Sequence, residues 1–126
     1  MDTVKILFVD DEPDLCQLMK LTLEQNPRYE VTTAGSGEEG LQKARATCFD
    51  LVITDFRMPG MDGAAMIRAL KAIRPHAPVV ICSVYHDDPK TIPADVHRAA
   101  DGLIRKPLDH DELERTIQDV LSRSGE

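Results

Sequence analysis

The sequence is short of positive charge: 15 Lys and Arg face 22 Asp and Glu, for a formal charge of -7 over 126 residues. Binding nucleic acid by phosphate neutralisation needs Lys and Arg clustered on one face, so the balance argues against direct nucleic acid binding by this chain. No apolar run approaches the roughly twenty residues that cross a bilayer, so no membrane association is expected. Met1-Asp2-Thr3-Val4-Lys5 also lacks the basic stretch and long apolar core of a secretion leader. The cytoplasm is the expected location. Cysteine is scarce: Cys16, Cys48 and Cys82 are odd in number, show no Cys-x-x-Cys spacing, and each falls in an apolar-patterned segment. Buried reduced thiols are expected rather than disulfides or metal ligands. His76, His86, His97 and His110 form no pair at metal-ligand spacing on one helix face. Repeats and low-complexity tracts are missing too, and Ser122-Arg123-Ser124-Gly125-Glu126 reads as a frayed end or the start of a linker.

What is present has the size and the 42% hydrophobic fraction of one globular domain, residues 1–126. Lys5-Ile6-Leu7-Phe8-Val9 is a short apolar run ending in acids, followed by Leu15, Leu18, Met19 and Leu23 at helical spacing. Pro13 suits a helix start, where its missing N–H costs nothing, and Asn26-Pro27 stops that helix. Tyr29 to Ala34 predicts a second strand, and Ser36 with Glu39 stands at capping-box spacing before Leu41, Ala44 and Cys48. Leu51-Val52-Ile53-Thr54, ended by Asp55, precedes a stripe of Met66, Ile67, Leu70 and Ile73. Val79-Val80-Ile81-Cys82 and Leu103-Ile104 predict strands four and five, and Asp109 with Glu112 opens a last helix bearing Leu113, Ile117, Val120 and Leu121. Five strand–helix units predict an α/β fold, a doubly wound (βα)5 parallel sheet in order 2-1-3-4-5 with helices on both faces. Pro89 and Pro93 oppose a full-length fourth helix, so that helix is expected to be short, starting near Pro93 and ending before Gly102.

Ligand sites in such sheets gather at the carboxyl ends of the strands, near the point where strand order reverses. Asp10 and Asp11 close strand one and Asp55 closes strand three. Three carboxylates converging there would repel one another, and a hard divalent cation such as magnesium resolves the conflict with oxygen ligands. Glu12 and Asp14 are read instead as acids decorating a helix start. Ser83 ends strand four and Lys106 ends strand five, a hydroxyl and an ammonium suited to a transferring phosphoryl group. Asp62-Gly63 and Met58-Pro59-Gly60 read as turn chemistry after Asp55.

Phe8-Val9-Asp10-Asp11-Glu12-Pro13, Thr54-Asp55-Phe56-Arg57-Met58-Pro59-Gly60-Met61-Asp62-Gly63, Cys82-Ser83 and Lys106-Pro107 together resemble the receiver domains of two-component response regulators, over about Lys5 to Leu121. The resemblance implies that a histidine kinase, a phosphotransfer protein or a small phosphodonor phosphorylates Asp55. It implies magnesium held by Asp10, Asp11, Asp55 and the backbone carbonyl of Arg57, with Lys106 and Ser83 completing the catalytic set. It also implies an output domain or downstream protein as the recipient of the signal, and no enzyme in the ordinary sense beyond self-phosphorylation and slow self-dephosphorylation. Receivers commonly carry Tyr or Phe three residues before the strand-five lysine; here that residue is Leu103, which reads as a passive core position. Two other readings stand beside this one. An aspartyl-phosphate phosphatase would want a second acid two residues after its nucleophile, where this chain has Arg57. A degenerate receiver acting only as an interaction module would not need the full set of acids, Ser83 and Lys106.

Overall fold

Among the described residues five strands alternate with five helices: β1 Val4–Val9, α1 Pro13–Leu23, β2 Tyr29–Ala34, α2 Gly37–Ala46, β3 Leu51–Asp55, α3 Gly63–Ile73, β4 Val79–Val84, α4 Ala94–Ala99, β5 Gly102–Lys106 and α5 His110–Arg123. The computed structural model describes residues 3–58, 60–84 and 92–123. All the strand pairs are parallel and the sheet order is β2-β1-β3-β4-β5, as expected. The order reverses between β1 and β3, which places the end of β1 beside the end of β3 at the centre of the sheet.

Alternation along each strand feeds two cores. Ile6, Phe8, Leu51, Ile53, Val80, Cys82 and Ile104 pack with residues of α1 and α5 on one face. Leu7, Val9, Val52, Val79 and Ile81 pack with residues of α2, α3 and α4 on the other. Burial on both faces is why β1, β3 and β4 read as unbroken apolar runs instead of alternating ones. Helix ends follow local chemistry. Ser36 Oγ accepts from Glu39 N–H at 3.1 Å, while the Glu39 carboxylate reaches one residue further back than in a standard capping box, to Gly35 N–H at 2.8 Å. Asp109 caps α5 through Glu112 N–H at 2.9 Å.

Four expectations are corrected. Leu18 and Ile73 do not join the core: they are 54% and 39% exposed, because Cys16 takes the inward position on α1, and α3 turns Met66, Ile67 and Leu70 inward before it ends. Cys48 is exposed, since it lies in the turn after α2, whereas Cys16 and Cys82 are buried. Leu103 is 37% exposed, because Ile104 is the β5 residue that faces the α1–α5 core. Asp62 does more than turn the chain: its carboxylate accepts from Ala65 N–H at 2.9 Å and caps α3. The short fourth helix holds, with Pro93 as its N-cap. Pro59, Tyr85, His86 and residues 87–91 lie outside the described residues, as do 124–126, whereas Ser122 and Arg123 belong to α5.

Candidate functional site

Asp10 follows directly on β1 and is 1% exposed. Its backbone N–H donates to Ala34 O at 3.0 Å, which continues the β1–β2 ladder one step beyond the strands. One carboxylate oxygen accepts from Glu12 N–H at 2.9 Å, so the turn into α1 fixes the side chain. The other accepts from Lys106 Nζ at 2.7 Å. Asp11 is exposed. The buried Cys16 thiol donates to Asp10 O at 3.3 Å from beneath.

Asp55 is the last residue of β3 and is 6% exposed. Thr54 Oγ1 donates to its carbonyl at 3.0 Å, and Phe56 N–H continues the ladder to Cys82 O at 2.9 Å. The start of α3 then presses against this strand end. A Cβ at Gly63 would lie 2.7 Å from both Asp55 O and Phe56 Cα, and Gly63 N–H donates to Phe56 O at 2.9 Å. Only glycine permits that approach. Arg57 is exposed on the loop so formed, two residues after Asp55.

One oxygen from each of Asp10, Asp11 and Asp55 lies within 4.8 Å of the others, and among the described residues this is the one such group of three or more His, Cys, Asp or Glu. The donor set is wholly oxygen, which fits a hard divalent cation. Lys106, the last residue of β5, spans the cluster: its Nζ is 3.5 Å from Asp55 Oδ2 and 3.6 Å from Glu12 Oε2, besides the bond to Asp10. Burial pushes the Asp55 carboxyl up to about 6; the Lys106 ammonium pulls it down, and the Asp10 charge adds to the rise. Burial works to lower the Lys106 pKa, but the Asp10 hydrogen bond and the charges of Asp55, Asp10 and Glu12 outweigh it, and the net shift is upward. Ser83 is 6% exposed on β4, one residue beyond the Asp55–Cys82 pair and opposite Arg105 of β5.

The residues expected at the site are therefore gathered at the carboxyl ends of the strands: Asp10 and Asp55 within 3.5 Å of Lys106, Asp11 within 4.8 Å of both acids, Ser83 on the adjoining strand and Arg57 on the adjoining loop. Sequence reasoning missed two parts. Glu12, assigned to the helix start, makes no side-chain cap and has its carboxylate near Lys106 instead. Its place directly after two strand-end acids was the available signal. Asp62-Gly63 predicts a turn, and nothing in the local sequence shows that a helix start will touch the backbone of Asp55 at Gly63.

Similarities to known proteins agree with this geometry. The response regulator receiver domain family model matches residues 6–118. The transcriptional regulatory protein ZraR of Escherichia coli strain K12 is 37% identical over 123 residues, covering 98% of this chain and 27% of ZraR. The chain thus spans about a quarter of the length of the first curated relatives it matches. Among solved structures, a response regulator receiver domain protein from Clostridium thermocellum is 35% identical with a TM-score of 0.87, each chain covered to 95%. The response regulator TrrA from Thermotoga maritima, solved in complex with Mg(2+)-BeF, is 30% identical with a TM-score of 0.82, covering 94% of this chain and 99% of TrrA. With the family model matched over nearly its whole length, this chain belongs to the receiver domains of response regulators.

Proposed function

We propose that Asp55 is the phosphoacceptor and that magnesium is held by Asp10, Asp11, Asp55 and the Arg57 carbonyl. One observation carries the proposal: the paired carboxylates that follow β1 converge with the carboxylate ending β3 and a largely buried lysine from β5, at the switch point of the sheet. When bound, the cation supplies positive charge to the phosphoryl oxygens. An Asp55 carboxylate oxygen attacks phosphorus; the new O–P bond forms as the donor's bond to phosphorus breaks, and that electron pair leaves with the donor. The donor is a histidine kinase, a phosphotransfer protein or a small phosphodonor. Lys106 turns part of its hydrogen bonding from Asp10 to a phosphoryl oxygen, and the Ser83 hydroxyl donates to another. With no acid two residues after Asp55 to activate water, turnover of the phosphoaspartate is slow self-dephosphorylation. Residues 1–126 act as one receiver domain in the cytoplasm and signal through the segment after β4 and α4 to an output domain or separate protein.

Acetyl phosphate with magnesium should label the wild type once per chain, as read by intact mass. Asp55→Asn should abolish labelling, and Lys106→Ala should impair labelling or the response to it. Stoichiometric labelling of Asp55→Asn would overturn the assignment.

A further inference from the structure

Helix α4 is weakly anchored. It has six residues, a Pro93 N-cap with no side-chain cap bond, and one buried residue, Val96, where α1, α2, α3 and α5 each bury three or more. So short a helix has little stability of its own. Its two sides differ. Toward α3, the Arg68 guanidinium grips Asp95 in the first turn of α4 with two parallel hydrogen bonds, Nε to Oδ2 at 2.8 Å and Nη2 to Oδ1 at 3.0 Å. Toward β5 lies a cavity of about 210 Å³ whose lining includes Ile81, Ile92, His97, Asp101, Gly102 and Leu103. A forked pair fixes orientation as well as distance, which a lysine pair would not.

We propose that the Arg68–Asp95 fork is a latch: it holds α4 in its resting position against α3 and away from the cavity beside β5, so that opening the fork releases α4 without chemistry at Asp55. The inference deepens the reading of the chain as a phosphorylation switch and rests on it for its consequence at the site. The latch itself stands on the unphosphorylated structure. Both side chains are about half exposed, so the fork is a modest bias rather than a lock. A modest bias suffices where the element it holds buries one residue among those described, because the free-energy gap between two positions is then small.

Amide hydrogen exchange of His97 and Ala100 reports on α4, since their N–H groups bond to Pro93 O at 2.9 Å and Val96 O at 3.0 Å. In the unphosphorylated protein, Arg68→Gln and Asp95→Asn should each speed that exchange about two- to five-fold, the range expected for an exposed pair, while the amide of Arg74, the C-cap of α3, is unchanged. The double variant should be no faster than either single one. Unchanged exchange in Arg68→Gln would overturn the latch. So would additive effects, which would mean that Arg68 and Asp95 act on α4 independently, Asp95 through the helix dipole. Coupling to the site is read separately: each single variant should bind beryllofluoride with magnesium more tightly by a similar factor. Equal affinities would refute that coupling. Failure of the wild type to bind beryllofluoride at all would instead refute the Asp55 assignment and leave the exchange result standing.

Discussion

Asp55 is held in a position that costs the metal-free fold. A carboxyl pushed up to about 6 by burial, against an ordinary 3.8, is protonated in the folded chain and ionised in the unfolded chain between those two values. Stability from this group is therefore complete below about 3.8, falls as pH rises through the window, and is lost by the amount of the shift above about 6. That loss is on the order of 3 kcal/mol. Asp55→Asn removes the buried charge while keeping the shape, though its amide faces Lys106. The variant should therefore gain about 1–2 kcal/mol in metal-free urea denaturation at pH 7.5, and the gain should shrink toward pH 4. A variant that is less stable at neutral pH would show that Lys106 already compensates the carboxylate fully. Leu103 is the opposite case. Expected as core, it is more than a third exposed, so Leu103→Ala should cost about 1 kcal/mol or less, against the 2–5 of a buried leucine. A loss in the buried range would mean that the cavity beside α4 closes over it in solution.

At the scale of elements, the site depends on how closely α3 meets β3. The Gly63 position lies against the carbonyl of the proposed phosphoacceptor and the backbone of the next residue. Gly63→Ala must push these apart, costing about 1–3 kcal/mol as overpacking does, and it should weaken magnesium binding through the displaced loop. Calorimetric titration of magnesium into a folded Gly63→Ala protein with wild-type affinity would show that the contact serves packing alone. Such contacts mark the limit of what can be read from a chain. The strands were legible because burial on both faces leaves long apolar runs, and the acids stood out because charge at the end of such a run has no packing role. Leu18 and Ile73 misled because they sit at helical spacing with residues that are buried. Which side of a helix wins is decided by the sheet beneath it, and α1 turns Cys16 and Met19 inward instead of Leu18. The Arg68–Asp95 fork joins side chains twenty-seven residues apart and has no local signature at all.

For the molecule as a whole, the proposed metal site at the ends of β1 and β3 would make folding and cation binding one equilibrium. The sheet order brings Asp55 to the adjacent pair Asp10 and Asp11; the unfolded chain keeps Asp55 away from that pair, so it should bind the cation far more weakly. A ligand that binds the folded state stabilises it by RT ln(1 + [L]/Kd), about 1.4 kcal/mol at ten times Kd. For a domain of this size that corresponds to a rise of roughly 3–6 °C in Tm. Lys106 does not make the cation redundant: one ammonium at 2.7 and 3.5 Å from Asp10 and Asp55 leaves the cluster with net negative charge. Magnesium should therefore raise Tm at pH 7.5, and Asp11→Ala, which removes an exposed ligand without opening the core, should abolish the rise. The rise should also fade as pH drops below about 6, because protonation of Asp55 then competes with the cation. A Tm that stays flat in the wild type up to tens of millimolar magnesium, roughly the range for so small a hard-cation site, would mean that the three acids do not act as one. A rise that persists undiminished at pH 5 would place the cation on Asp10 and Asp11 alone, and would remove Asp55 from the metal site while leaving its role as phosphoacceptor to the labelling experiment.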